Sequence, residues 1–429
     1  MKKKYRIILY TSIFLLCVVA SIILVVKKSN SVYEEESKPK VVKHKSMLSM
    51  NLEQTAGAGD YKTVTQSKWP TEGYKFNAEL SRCENGSTLS WDDTKKAVIV
   101  SGNLSDKCYV YFDIYQPTLA EYIKSQYTGT QGDNALYYHN STLTNGAGDN
   151  SYRYAGANPN NFVCFGSDTS PCPTDNLYRI IGVFGENYHG VTGKQLVKLI
   201  KYDYMTTDEL GTDGDYSQTY KEWGMNSTYK GTYGDGERIG VYYWNYKATG
   251  SATNTWSTSL LNKTNLNTNF INYLGTTWAN KIATVTWKVG GNTYANISDV
   301  VPATTYQNEI VNPVTTNTTD NATTYSAKIG LMYVSDYGFA ASPDAWTLTM
   351  SSYNNTTATN NNWMYMGLYE WTISRYADRS NGAFGVRYDG GVSSYSVGSY
   401  NGVRASFSLE SSVSYVSGSG SMSDPIVIN

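Results

Sequence analysis

The residues best equipped to meet a ligand cluster toward the C-terminus: Trp363, Tyr365, Tyr369 and Trp371, followed by Arg375 and Arg387. Flat aromatics offer large contact area with few rotamers to freeze, and guanidinium groups add planar donors for carboxylates or sugar hydroxyls. Set in the Gly- and Asn-rich stretch 360–404, they predict a surface for a glycan or protein ligand on scaffold loops. Packing in a core accounts for aromatics at alternating strand positions equally well.

Signals for catalysis are thin. The chain contains no G-x-x-x-x-G-K-[ST], no H-E-x-x-H and no G-x-S-x-G. Its three histidines are His44, His139 and His189. His139 lies in a polar, tyrosine-rich stretch and His189 in a Gly-flanked turn, so both read as surface residues. A glycosidase needs two carboxylates across a cleft, and no spacing among the 36 acidic residues selects a pair. Asp208, Asp213 and Asp215, and then Asp235 and Glu237, sit in loops that offer oxygen ligands to calcium. EF-hand spacing fails there, with Gln218 at the place of the Gly and Gly224 at that of the final Glu. Solvated turns are the simpler reading. No catalytic residue, cofactor-binding residue, cofactor or metal ligand is predicted; an extracellular enzyme of unknown reaction and a structural envelope subunit remain alternatives to a binding module.

The elements that position these residues begin at a tether. Residues 7–26 run without a charge between Arg6 and Lys27, long enough for a helix to cross a hydrocarbon core of about 30 Å. They predict a transmembrane helix after a short cytosolic tail at 1–6. A cleaved signal peptide usually has a shorter apolar region. Lysines at 38, 40, 43 and 45 follow the helix, so positive charge alone does not set the orientation. The cysteines do. Cys83, Cys108, Cys164 and Cys172 fall in two local clusters without a C-x-x-C, favouring disulfides 83–108 and 164–172 over a zinc site, with free buried thiols the alternative. Two disulfides imply an oxidising compartment and hence a single-pass protein of the cell membrane with its bulk outside.

Charge agrees. Ten of the 35 Lys+Arg and three of the 36 Asp+Glu precede residue 46, leaving 25 against 33 in the remainder. Such an acidic body is a poor match for nucleic acid. The 39 tyrosines, with abundant Thr, Asn and Gly, favour strands joined by turns. Residues 27–60 read as a flexible stalk, and 61–115 as a small β module pinned by Cys83–Cys108. Residues 116–150 read as a short helix, N-capped by Thr118, with a connector. Residues 151–429 read as a strand-rich α+β domain. Within it, predicted strands include Leu177–Phe184, Ser326–Val334, Glu370–Ser374 and Val403–Leu409, with short helices over Ser257–Leu274.

The stretches SYRYAGANPNNFVCFG (151–166), DNLYRIIGVFG (175–185), KIGLMYVSDYGFA (328–340), EWTISR (370–375), NGVRASFSLESSV (401–413) and SGSGSMSDPIVI (417–428) carry a resemblance. Together with CENGSTLSWDD it resembles a group of uncharacterised membrane-anchored surface proteins of gut Firmicutes and Mollicutes-like bacteria. That group has no assigned activity, so the resemblance transfers no catalytic residue. Ala405-Ser406 departs from a Pro-Val-like pair expected after Gly-Val-Arg, which puts the shape of the last strand in doubt. The succession Glu370-Trp371-Thr372, Val386-Arg387 with Gly390-Gly391, then Gly402-Val403-Arg404 is similar to the end of C-type-lectin-like and formylglycine-generating-enzyme domains. That similarity implies a fold and no function.

Overall fold

The computed structural model describes residues 48–65, 68–70, 73–220, 229–234, 236, 238–313 and 323–429. Residues 7–26, Asp235 and Glu237 lie outside this set. Among the described residues no helix is long and apolar enough to cross a membrane. The chain divides into two compact units, at residues 1–116 and 117–429.

The smaller unit is a five-stranded sheet. Its strands are β1 (Leu48–Glu53), β2 (Tyr61–Val64), β3 (Tyr74–Phe76), β4 (Arg82–Cys83) and β7 (Cys108–Ile114), in the order β2-β1-β7-β3 with β4 also on β7. A hairpin of β5 (Thr88–Asp92) and β6 (Ala97–Ser101) completes it. The expected stalk therefore gives way to structure before residue 60. Leu48, Met50 and Leu52 alternate into the core, and β1 runs parallel to β7, matching Met50 with Val110 and Leu52 with Phe112. Trp91 meets Phe112 edge-on at 5.6 Å between centroids. Cys83 lies opposite Cys108 in the ladder, and the two are bonded.

In the larger unit, helix α1 (Leu119–Ser125) starts at Thr118 with a full capping box to Glu121. Leu119 and Ile123 enter the same core as the strands that follow, so α1 and the connector belong to this unit. One sheet contains β8 (Leu136–Tyr138), β9 (Tyr152–Tyr154), β10 (Phe162–Cys164), β11 (Leu177–Phe184), β12 (Leu196–Lys201), β17 (Ile329–Gly330) and β22 (Ser406–Ser408). Its order is β17-β22-β12-β11-β9-β8, with β10 beside β11. β11 is buried throughout, as its continuous apolar run requires. At its bulge, a Cβ on Gly182 would stand 2.2 Å from the Tyr152 carbonyl oxygen.

The second sheet orders β13 (Tyr216–Thr219), β14 (Gly240–Tyr243), β21 (Tyr400–Gly402), β18 (Glu370–Arg375), β19 (Gly382–Val386) and β20 (Val392–Ser396) as β13-β14-β21-β18-β19-β20. Ile180 and Leu199 of the first sheet share one core with Trp371 and Phe384 of the second. The fold is α+β with strands in the majority. Cys164 and Cys172 are bonded near the end of β10.

Two predicted elements change. The strand expected over 326–334 breaks at Lys328 into β16 (Thr324–Ala327), paired with β15 (Val285–Lys288), and β17 in the first sheet, and Val334–Ala340 is a wholly buried helix, α2, whose start is capped by Asp336 accepting from the Tyr333 N–H. The strand expected over 403–409 shortens to β22. Ser406 keeps its place opposite Ile200 and donates from Oγ to the Leu199 carbonyl, so the Ala-Ser pair leaves the ladder intact.

Candidate functional site

Pairing of β10 with β11 sets Phe162 directly opposite Arg179. The Arg179 guanidinium lies between two rings, 4.3 Å from the Phe162 centroid and 4.7 Å from that of Trp363. Its Nε donates to Asn161 Oδ1 (2.7 Å), Nη2 to the Pro159 carbonyl (3.0 Å) and Nη1 to the Trp363 carbonyl (3.4 Å). Asn161 is held for this task because its Nδ2 donates to the Ile180 carbonyl. All three acceptors are neutral. Burial pushes the guanidinium down to about 9, and the nearby Arg404 charge acts in the same direction.

A second cation stands close by. The Lys230 ammonium sits 4.5 Å over the Tyr365 ring and donates to the Thr359 carbonyl (3.3 Å), while its backbone N–H donates to Met366. Burial lowers its pKa as well. Trp363 is fixed by Nε1 donating to the Tyr154 carbonyl, and Tyr365 by its hydroxyl donating to the Tyr388 carbonyl.

Arg179, Lys230, Phe162, Trp363 and Tyr365 line one cavity of about 630 Å³, whose walls add Tyr202, Met422 and the amides of Asn158, Asn160 and Asn360. A neighbouring cavity of about 480 Å³ shares Asn158, Pro159 and Asn160 as its wall and continues to Tyr122, Gln126, Asn134 and Ser419. Among the described residues, no carboxylate, histidine or cysteine lines either cavity. The arrangement can accept hydroxyls with its amides and an anion with its cations.

The predicted ligand surface divides three ways, and as one exposed surface it is corrected. Trp363 and Tyr365 are at most 5% exposed and form the cavity floor, their faces occupied by cations. Trp371 and Arg375 are fully buried, because β18 is flanked by strands on both sides and covered on both faces. Trp371 Nε1 donates to the Tyr242 carbonyl and Arg375 Nε to that of Val289. Tyr369 and Arg387 are half-buried. Tyr369 lines a shallow hollow with Tyr395 and Tyr400, and Arg387 pairs with Asp389 at 2.9 Å.

Other titratable groups are turned inward. His139 and His189 are fully buried, not on the surface: their turns fold back so that His139 packs on Phe339 and Trp346, and His189 on Tyr188. Burial pushes both imidazoles well below their ordinary range. Lys198 donates to Asp336 (2.5 Å) and Tyr188, and Arg153 pairs with Asp149 (2.7 Å). None of these side chains lines the two cavities. Asp215 accepts from the backbone N–H groups of Leu261 and Tyr246, and Asp213 from Asn269.

Arg179, Lys230 and the three asparagines escape a search for aromatic clusters. A signal for Arg179 exists, since it is the one charge inside the otherwise apolar run LYRIIGVF. A charge in such a strand asks for a reason.

Comparison with protein-family models, with curated proteins and with solved structures finds no match. Function is therefore argued from the site.

Proposed function

We propose that this protein is a membrane-tethered, extracytoplasmic binding protein whose larger unit takes a glycan in the paired cavities beside β10 and β11. The observation that carries the reading is the lining of the larger cavity: asparagine amides and tyrosine around about 630 Å³, with immobilised aromatic rings beneath. Amides donate and accept at once, which suits a ring of hydroxyls, and a second cavity across the Asn158–Asn160 wall suits a ligand of more than one sugar. Two disulfides support an oxidising compartment, and the charge-free run 7–26 supports an uncleaved anchor. The C-type-lectin-like reading of 370–404 draws support from the successive antiparallel pairs β18–β19 and β19–β20.

Full-length protein in detergent, applied to a glycan array, tests the binding. Specific retention that is lost in Asn158→Ala/Asn160→Ala, with unchanged melting temperature, supports the reading; retention of no glycan by the wild type overturns it. Carbonate-washed membranes should retain a protein beginning at Met1, and a mature terminus at Ser21 would remove the anchor.

A further inference from the structure

The two cations of the larger cavity are held differently from Arg153, Lys198 and Arg404, three buried cations that each face a carboxylate. Arg153 has Asp149, Lys198 has Asp336, and Arg404 holds Glu370 through two bonds, Nε to Oε1 (2.8 Å) and Nη2 to Oε2 (2.9 Å). Burying a charge is costly unless an opposite charge meets it, and the fold observes that rule at those three sites. At Arg179 it does not. The side chain is 6% exposed, yet its acceptors are an amide oxygen and two carbonyls, and three of a guanidinium's five N–H bonds are thereby used. Lys230 reaches one carbonyl and one ring face. Among the described residues neither cation has a carboxylate partner and no acidic side chain lines the cavity they share.

The rings explain how the charge is held. Phe162 and Trp363 clamp the guanidinium plane and Tyr365 supports the ammonium, so cation–π attraction replaces part of the lost hydration without neutralising either group. The positive field is left directed at the cavity. In a body whose remaining residues are net acidic, two unneutralised cations in one hollow are a local reversal of sign. Among the described residues the neighbouring cavity is lined by neutral groups, Gln126, Asn134 and Ser419 among them.

Resting on the glycan reading, we propose that the ligand is an acidic carbohydrate, its sugar carboxylate seated against Arg179 and Lys230 and its neutral neighbour lying across the Asn158–Asn160 wall. The carboxylate can belong to a sialic acid or to a hexuronic acid, since both present the same two oxygens on a pyranose ring. An acidic peptide presents the same charge, but the exposed Asn158, Asn160 and Asn360 in the lining favour a hydroxyl-rich partner.

The experiment measures binding of full-length protein in detergent to sialyllactose, lactose, digalacturonate, the methyl esters of the two acids, and an Asp/Glu-rich peptide. One acid should bind at least about ten-fold more tightly than its methyl ester, and for the sialyl arm than lactose, with affinity falling as salt rises. Lys230→Gln, at an exposed position, should reduce that preference several-fold without shifting the melting temperature. Which arm responds identifies the acid. Equal affinity for acid and ester, or a K230Q variant with the full preference, overturns the carboxylate assignment while glycan binding stands. Tighter binding of the peptide than of either acid overturns the carbohydrate class. Absence of all glycan binding overturns the underlying reading as well.

Discussion

Replacing Glu370 by Gln would leave Arg404 buried, charged and without an anion. Both side chains are at most 2% exposed, and Arg404 also donates from Nη2 to the Met364 carbonyl, between Trp363 and Tyr365 of the cavity floor. Removing one partner of a buried pair typically costs about 3–5 kcal/mol, because the remaining charge keeps its desolvation penalty without its compensation. For a unit of this size, at roughly 2 °C per kcal/mol, that is a fall of about 6–10 °C in melting temperature. Urea unfolding followed by tryptophan fluorescence is the direct assay, since Trp244, Trp256, Trp287, Trp346 and Trp371 are all fully buried in the larger unit. Glu370→Leu combined with Arg404→Met should recover most of the loss, as apolar replacements of buried pairs often do. A Glu370→Gln variant within about 1 kcal/mol of wild type would refute the account, as would a double variant whose loss equals the sum of the singles.

Glu309 accepts from Ser374 Oγ and from the Ser335 N–H, and burial pushes its carboxyl up to about 7. The folded unit thus keeps a proton that the unfolded chain releases from about pH 4.5, so its contribution to stability is full below that pH and falls toward pH 7, by about 3 kcal/mol. Glu309→Gln should flatten this slope in urea titrations, and an unchanged slope would count against it. Gly182→Ala should cost about 1–3 kcal/mol through overpacking against Tyr152; unchanged stability would mean that β9 yields freely. Cys83→Ser should cost the smaller unit about 2–4 kcal/mol while the larger unit melts as before. Non-reducing peptide maps should join Cys83 to Cys108 and Cys164 to Cys172, and four alkylated thiols would contradict both bonds.

Elements governed by local signals were legible in the sequence. The largely apolar run of Leu177–Phe184, the Thr118 N-cap and the two close cysteine pairs each declare themselves within a short window. Leu48–Glu53 did not, because its reason for being a strand is β7, far along the chain. The site was legible only in part. Trp363 and Tyr365 stood out as aromatics, but Arg179 and Lys230 did not, because only tertiary structure lays those cations over the two rings. In Glu370–Arg375 the aromatics fitted a ligand surface and a core equally well, and the structure buries the whole strand.

The segment Val413–Tyr415 is clamped to the point where the chain enters the larger unit: Leu119 donates to the Val413 carbonyl, Tyr415 to that of Pro117, and the Tyr122 and Tyr415 rings stack at 3.7 Å. Tyr122 of α1 and Gln126, which caps its C-terminal end, are also walls of the smaller cavity. Mechanically, this is a short load path. If the proposed tether and ligand both hold, tension on a ligand gripped at that wall has a direct route through α1 to Pro117, where the chain enters the unit.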